Sequence, residues 1–410
     1  MMGILSFISL ILGQLWQAIF GSFLFWVVLA LVAVQYRRIA KTRESLFGIK
    51  GNSVLIDIAS ATVYGIAGGI VGSFLLVLTG INLTGLGINY IWPLALLLML
   101  INPRFLCFSY AGGIIALSNL LFGAPSVDVP QLMGLVAILH LVESLLINFS
   151  GHVGATPMFT KNASGQLVGG FTLQKFWPIP IVAIAFLSNP SDLALLPAMP
   201  DWWPLIKFDQ GFALSAVGVL YPFVAGLGYG DLVLAHTPVE KSKISARNLS
   251  IYSLILLVLA LLASRYGLFK YLAALFAPLG HEAVIYIGQD TELRGKPIFI
   301  PPAKGVRVLE AVPNTAAQKA GIKSGDVIYA INGEGVNSKR DIETIIWARP
   351  SLLEIEYISY TQKKWQRAFI NLRLNQPLGI IAVPEGDETM YTKINTQSLI
   401  SRIIRKFRKA

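Results

Sequence analysis

Long apolar runs fill most of the first 280 residues of this chain, and they restrict its fold more than any other feature. Of its 410 residues, 54% are hydrophobic and only 13% are charged, whereas soluble globular domains carry about 25% charged residues. A membrane-spanning helix needs about 20 apolar residues. The sequence therefore predicts an α-helical polytopic membrane domain over residues 1–280. Its eight predicted spans are 15–36, 54–78, 90–101, 105–122, 132–149, 178–198, 212–228 and 249–263, and a weaker run at 266–279 is predicted to be re-entrant or tightly turned.

Basic residues in the short connections predict how the spans are oriented. The connection after the first span holds five of them: Arg37, Arg38, Lys41, Arg43 and Lys50. If successive spans cross the membrane in alternating directions, the other basic connections lie on the same side as this one. The connections on the opposite side contain few Lys or Arg. Because Lys and Arg are enriched in cytoplasmic loops, we predict a multi-pass protein of the cell membrane whose C-terminal part is cytoplasmic.

Few ionisable residues interrupt the apolar runs. His140 and Glu143 lie on one face of the fifth span, where they predict either a proton or ion pathway or a hydrogen-bonded pair that fixes helix packing. Gly68 and Gly72 in the second span have the small-residue spacing typical of close helix packing. Cys107 is the only cysteine, so the sequence predicts no disulfide and no cysteine-based metal cluster.

From about residue 281 the pattern changes to short β-branched runs. Helices are predicted at 315–320, after a Thr315…Gln318 capping box, and at 338–348, while Asn332-Gly333 predicts a tight turn. These elements predict a small α+β domain at 281–375, a partly open β-barrel with two helices. Its predicted strands are 283–287, 297–301, 306–309, 327–331, 353–358 and 367–372.

This order of elements, with AAQKAGIKSGDVIYAINGEGV at its centre, resembles a bacterial PDZ domain of the circularly permuted kind. In PDZ domains a peptide adds as an extra strand beside one sheet edge. The resemblance implies a carboxylate-binding turn at Tyr286, Ile287 and Gly288, and a facing helix that offers Ile342, Ile345 and Ile346. Gln289 departs from the family pattern, which leaves binding of an internal peptide segment open.

No complete catalytic motif accompanies this module. Membrane-embedded proteases of the site-2 family also carry PDZ domains, and they use H-E-x-x-H because both imidazoles must reach one metal from one helix face. Here His281-Glu282 is followed by Ile285 at the position of the second histidine, and the Gly-x-Ser-Gly loop of trypsin-like proteases is missing. We therefore predict no enzyme, catalytic residue, cofactor or bound metal, with His281-Glu282 as a polar hinge between the two domains.

Residues 376–410 are predicted to be a linker followed by a basic amphipathic tail. Apolar residues such as Leu399, Ile403 and Phe407 share one helical face, and the basic residues lie mostly opposite: Arg402, Arg405, Lys406, Arg408 and Lys409. Such a helix binds anionic membrane surfaces, and a solvated charged tail is the alternative. We predict membrane lipids rather than nucleic acid as the partner of this segment.

The arrangement as a whole resembles the MinJ-like cell-division topological determinants. The resemblance rests on the domain order, on GHVGATPMFTKNASGQLVGGFTLQKFWPIPI at 151–181, and on LGHEAVIYIG before the PDZ-like module. It implies a scaffold at septum and poles that links DivIVA-like and MinD-like division proteins. An inactive or PDZ-regulated relative of the site-2 proteases and a small-solute transporter stay open as alternatives. The loop 151–177, with aromatic Phe159, Phe171, Phe176 and Trp177, is predicted to be either a second docking surface or a re-entrant or packed connector.

Overall fold

The computed structural model describes residues 4–48, 51, 53–162, 164–188, 193–207, 216–348, 351–372, 377–388 and 391–392. The helices of these residues are α1 Ile4–Trp16, α2 Phe23–Phe47, α3 Val54–Thr79, α4 Ile88–Ile101, α5 Phe108–Phe122, α6 Val129–Ser150, α7 Pro238–Ala263, α8 Gly267–Arg294, α9 Ala316–Lys319 and α10 Lys339–Trp347. The strands are β1 Thr156–Lys161, β2 Leu167–Leu187, β3 Ala194–Leu195, β4 Val217–Val233, β5 Val306–Ala311, β6 Val327–Ile331, β7 Glu334–Gly335, β8 Leu352–Ile358, β9 Trp365–Asn371 and β10 Ile380–Ala382. They form a four-stranded sheet in the order β1-β2-β4-β3 and a six-stranded sheet in the order β10-β5-β6-β8-β9, with β7 beside β6.

Five helices among the described residues are long and apolar enough to cross a membrane, namely α2, α3, α6, α7 and α8. Helices α4 and α5 coincide with two further predicted spans but contain only 14 and 15 residues. The predicted helical membrane domain is therefore confirmed in its class. The prediction of eight helical spans is not.

Two of the predicted spans, 178–198 and 212–228, are wrong because these residues belong mainly to strands. They contribute to β2, of 21 residues, and β4, of 17 residues, which pair antiparallel from Phe171↔Val233 to Leu187↔Val217. Pro178 and Pro180 lie in the middle of β2, and a proline inside a helix costs about 3 kcal/mol. Apolar length alone does not distinguish a membrane helix from a strand that is buried on both faces.

The edge of β2 that faces away from β4 is covered by α3 and the segment after it. The backbone N–H groups of Val182, Ile184 and Phe186 donate to Ser73 Oγ, the Ile81 carbonyl and Thr84 Oγ1 at 2.9, 3.2 and 3.0 Å. Pro178 and Pro180 precede them on the same edge and have no N–H to satisfy. The strand therefore leaves none of these donors unpaired inside the protein, where an unpaired donor is costly.

Glycines allow α3 to pack closely against strand β2 on one face and helix α6 on another. A methyl group at Gly65 or Gly69 would collide with the backbone carbonyl of Pro178 or Pro180. On another face, methyl groups at Gly68 and Gly72 would press on α6, where Val142 lies 3.2 Å from either position. The close packing predicted from the Gly68 and Gly72 spacing is confirmed, and Gly65 and Gly69 extend it from a helix to a strand.

We expect Gly69→Ala to destabilise the membrane domain by about 1–3 kcal/mol, because overpacking forces backbone shifts of this cost. The measurement is the thermal unfolding midpoint of the full chain in detergent. Gly13→Ala in α1 is the matched control, since no atom lies within 4 Å of its added methyl group. Equal midpoints for the two variants would contradict the close approach of α3 to β2.

Helix α8 continues through the predicted domain hinge. It contains 28 residues and includes His281-Glu282 and the run 283–287, so both the hinge and the first predicted strand of the C-terminal module are wrong. Tertiary contacts hold this helix: Lys241 Nζ donates to the Gly288 carbonyl at 2.7 Å, and Glu292 accepts from the backbone N–H groups of Leu234 and Ala235. These contacts join residues more than 40 positions apart, beyond the range of a local pattern.

The C-terminal module otherwise follows its predicted elements. Strands β5, β6, β8 and β9 and helices α9 and α10 lie where the pattern places them. Asn332 and Gly333 have φ of 51° and 78° and form the expected turn before β7. Two expectations are wrong: residues 297–301 form no strand, and Thr315 makes no capping bond to α9. Strand β10 was not predicted, and it lies beyond residue 375, in the segment predicted to be a linker.

The module packs directly on the membrane domain. Phe171 and Phe299 contact at a ring-centroid distance of 5.2 Å, and the Gly169 N–H donates to the Phe299 carbonyl at 2.9 Å. Leu309 and Ile381 belong to the same buried cluster as these two rings. The two sheets are therefore joined through one continuous apolar core.

The loop 151–177 forms this junction and is not an exposed docking surface. Phe171 and Trp177 are buried, and Trp177 Nε1 donates to Ser150 Oγ at 3.2 Å. Phe159 is half-buried against Phe47. Of the two predictions for this loop, the packed connector is the one observed.

Candidate functional site

A candidate peptide-binding groove lies between strand β10 and helix α10. β10 is the terminal strand of the six-stranded sheet and pairs with β5 on one side. Helix α10 begins beside the end of this strand, where the Lys339 N–H donates to Glu385 Oε1 at 2.7 Å. Among the described strands, none pairs with β10 on the side away from β5.

The side chains of β10 alternate between the two domains. Ile380 and Ala382 pack in the core of the module, whereas Ile381 and Val383 join the core of the membrane domain. This alternation follows from the two-residue period of a strand. The strand that borders the groove is thus held by both domains at once.

The turn before β10 is tied to α9. The Leu378 and Gly379 carbonyls accept hydrogen bonds from the N–H groups of Ala317 and Val312, at 3.1 and 2.8 Å. Gly379 has a φ of 82°, and a methyl group there would collide with Thr315. Only glycine fits this position without strain.

Helix α10 supplies an apolar wall. Ile342 is buried in the module core, while Ile345 and Ile346 are half-buried at its margin. A capping box fixes the start of the helix: Ser338 Oγ accepts from the Asp341 N–H, and the Asp341 carboxylate accepts from the Ser338 N–H. Backbone donors from Asn337 and Ser338 lower the pKa of Asp341.

Tyr286, Ile287 and Gly288, predicted to form the carboxylate-binding turn, lie inside α8. Their predicted turn conformation is therefore wrong. The Gly288 carbonyl instead accepts a hydrogen bond from Lys241 Nζ. The segment Leu378-Gly379-Ile380 has the hydrophobic-Gly-hydrophobic pattern that Ile287-Gly288-Gln289 lacks, and it leads into an edge strand. That pattern was the signal in the sequence, but it lies downstream of the predicted domain end.

The basic tail residues Arg402, Arg405, Lys406, Arg408 and Lys409 lie outside the described residues. Their predicted contact with the membrane surface stays a prediction.

A buried ion pair fixes the module beside the end of α2. Arg43 and Glu310 are 6% and 9% exposed, and Arg43 Nη2 lies 2.6 Å from Glu310 Oε2. The pair borders a cavity of about 740 Å³ that is lined by residues of both domains. Burial raises the pKa of Glu310 to about 7, and the Arg43 guanidinium offsets this shift only in part.

We expect contact between the two domains to weaken as the pH rises from about 4.5 to about 7. A carboxyl whose pKa is raised in the docked state stabilises that state below its ordinary pKa, and this contribution is lost as the pH passes the raised value. Hydrogen exchange at Phe299 and β10, measured at pH 5 and pH 8, reports the contact. Glu310→Gln cannot ionise, so its exchange should lose this pH dependence, and an unchanged dependence would contradict the assignment to Glu310.

Comparison with known proteins agrees with this architecture. Residues 286–351 match the family model described as PDZ domain. The cell division topological determinant MinJ of Bacillus subtilis is 24% identical over 230 residues, which cover 56% of this chain and 55% of that protein. The chain thus matches about half the length of this relative.

Two shorter similarities are to proteins named as serine proteases. The putative serine protease HhoA of Synechocystis is 33% identical over 58 residues, which cover 14% of this chain and 15% of that protein. The serine protease Do-like HtrB of Bacillus subtilis is 52% identical over 44 residues, which cover 11% of this chain and 10% of that protein. The chain is similar to MinJ over about half of its length and contains a match to the PDZ domain, and the protease similarities are too short to carry an activity.

Proposed function

We propose that this chain is a non-enzymatic membrane scaffold in division-site selection, and that its PDZ groove captures a peptide segment of a partner protein. The observation that carries the proposal is the edge strand β10 beside α10, in a module packed on a membrane domain. The long similarity to a division determinant supports the biological setting.

The groove suits an extended peptide. A peptide that adds beside β10 gains main-chain hydrogen bonds, and pockets for alternate side chains provide specificity. Ile345, Ile346 and Ile380 are half-buried apolar groups at the margin of the module core. An apolar peptide side chain placed against them would remove their exposed area from water, which is worth about 25 cal/mol per Å².

The contact between the domains supports a cytoplasmic groove. Glu310 of the module pairs with Arg43 at the end of α2, and Arg37, Arg38 and Lys41 lie on the same helix end. Such a basic cluster favours the cytoplasmic side. The module would then face cytoplasmic partners in a fixed orientation relative to the bilayer.

The proposed partners are DivIVA-like and MinD-like division proteins, with enrichment of the chain at septum and poles. Lipid binding by the basic tail would add a second attachment to the inner surface, at about 1 kcal/mol for each Lys or Arg near anionic lipid. In this scheme the chain determines where its partners gather and carries out no chemical step.

Imaging of a fluorescent fusion in dividing cells tests this function. We expect enrichment at septum and poles for the unchanged chain. Its partners should lose this pattern in the double variant Ile345→Asp, Ile346→Asp, because two charges would have to be desolvated in the apolar wall. Thr344→Asp adds one such charge at the preceding position, an exposed site of α10, and it should leave partner localisation intact.

Protease resistance of the module serves as the folding control for the double variant. A uniform membrane signal from the unchanged chain would contradict the scaffold, whereas normal partner localisation with the double variant would contradict only the groove.

Cysteine accessibility tests the side of the membrane. Lys364 is exposed on the module, so Lys364→Cys should react with a membrane-impermeant maleimide only after permeabilisation of the cells. Asp201→Cys is exposed in a segment that lies at the C-terminal end of α3, where the Ile206 N–H donates to the Thr79 carbonyl, so it should react in intact cells. The chain with Cys107 alone gives the background, and labelling of Lys364→Cys in intact cells would overturn the cytoplasmic placement.

A further inference from the structure

Three side chains with metal-binding atoms meet inside the membrane domain. Cys107 stands before α5, His140 lies in the middle of α6, and His281 lies in the middle of α8. Cys107 Sγ is 3.0 Å from His140 Nε2 and 3.7 Å from His281 Nε2, and all three atoms lie within 4.8 Å of one another. The single cysteine and two of the four histidines of the chain are thus brought together.

We propose that Cys107, His140 and His281 bind one divalent transition-metal ion of the zinc type. Thiolate and imidazole are the ligands that zinc prefers, at about 2.3 Å and 2.0–2.1 Å. A tetrahedral centre with these bond lengths separates its ligand atoms by roughly 3.3–3.6 Å. The observed sulfur–nitrogen distances of 3.0 and 3.7 Å bracket this range, so small side-chain movements suffice.

The surrounding hydrogen bonds aim both imidazoles at the sulfur. His140 Nδ1 lies 2.7 Å from the Val136 carbonyl, which can only accept, so Nδ1 carries the proton and Nε2 presents a lone pair. His281 Nδ1 lies 3.4 Å from the Tyr110 hydroxyl. That hydroxyl uses its proton on Glu282 Oε2 at 2.8 Å, so it too accepts from the imidazole.

This pattern matches metal sites in which each ligating histidine donates its other ring proton to a carbonyl or an acidic network. Arg104 completes the network, with its Nη2 3.1 Å from Glu282 Oε1. Each of the two histidines therefore has an acceptor for its Nδ1 proton.

The sulfur is placed to act as a thiolate. Cys107 is the N-cap of α5, and its Sγ accepts from the Ser109 N–H at 3.4 Å. The N-terminus of a helix favours negative charge and so favours the thiolate over the thiol. The thiolate is the form that binds metals.

A count of protons shows what the cluster lacks without a cation. Two Nε2 lone pairs face one sulfur, and a thiol has a single proton to donate. Ser109 Oγ lies 3.2 Å from His140 Nε2, but it must donate to Tyr252 at 2.7 Å because the Tyr252 hydroxyl donates to the Ala277 carbonyl. Among the described neighbours, one imidazole nitrogen is left without a donor.

A buried polar atom without a partner is costly, and His140 is only 3% exposed. A divalent cation accepts all three lone pairs at once and displaces the thiol proton to solvent. Cys107 and His281 are only half-buried, so an ion can approach the cluster.

The ion would clamp α5, α6 and α8 together. Three protein ligands leave a fourth tetrahedral position, which an external ligand such as water fills in sites of this type. Helix α8 continues beyond the cluster toward the PDZ domain. Metal binding would therefore stabilise the helix that connects the two domains, whether or not the chain serves in division.

Cobalt substitution tests the site in the purified full chain, after removal of metals with a chelator. We expect one Co²⁺ per chain, with a thiolate-to-cobalt charge-transfer band that Zn²⁺ abolishes by displacement. Cys107→Ser should lose this band, and His140→Ala and His281→Ala should each weaken binding by more than the roughly 10–100-fold that loss of a second-shell partner costs. His152→Ala removes a histidine outside the cluster and is the matched control.

Tyr110→Phe tests the second shell. It should weaken Co²⁺ binding by roughly 10–100-fold and keep the thiolate band, because all three ligands remain. If a ligand variant fails to fold, the unchanged chain still decides the matter through its metal content and spectrum. No bound Co²⁺ or Zn²⁺ in the unchanged chain, or a cobalt spectrum without thiolate character, would overturn the proposal.

Discussion

The close approach of β2 to α3 is the contact on which the rest of the structure depends. Gly65 and Gly69 remove every side-chain atom between the helix and the strand, and Pro178 and Pro180 remove two N–H donors from the strand edge that the helix covers. Inside a membrane domain, backbone polar groups must find partners within the protein. These four residues satisfy that requirement by close packing, and Ser73 supplies an acceptor to the next donor along the strand.

Strand β2 also connects the membrane domain to the PDZ domain. β2 pairs with β1 and β4, and its first residues contact Phe299. The buried Arg43–Glu310 pair also joins the two domains at this junction. Removal of one partner from a buried pair costs about 3–5 kcal/mol, so the pair specifies the docked arrangement strongly. A scaffold whose groove is fixed relative to the bilayer can restrict how its partner approaches the membrane.

Helix α8 runs from the proposed metal site toward the PDZ domain. It passes the Cys107–His140–His281 cluster in its middle and ends beside Lys241 and Glu292, before the PDZ core begins. One continuous helix therefore lies where His281-Glu282 were expected to form a polar hinge. The two domains are therefore coupled by rigid elements rather than by a linker.

The sequence alone determined the class of the protein and the centre of its PDZ domain. Long apolar runs require a membrane domain, and Gly321, Gly325 and the Asn332-Gly333 turn specify local backbone conformations that only a few residues adopt. Local physics also placed β6 and α10 correctly, with Ile342, Ile345 and Ile346 on the apolar side of that helix.

Only the tertiary structure decided that two apolar runs are strands, that Tyr286, Ile287 and Gly288 are helical, and that β10 forms the sheet edge. It also brought Cys107 to His140 and His281, which lie 33 and 174 residues away in the chain. A cluster whose members come from one helix N-cap and two other helices has no spacing that a sequence pattern can reveal. Hydrophobicity fixes how much of a segment is buried, whereas its neighbours decide which backbone hydrogen bonds it makes.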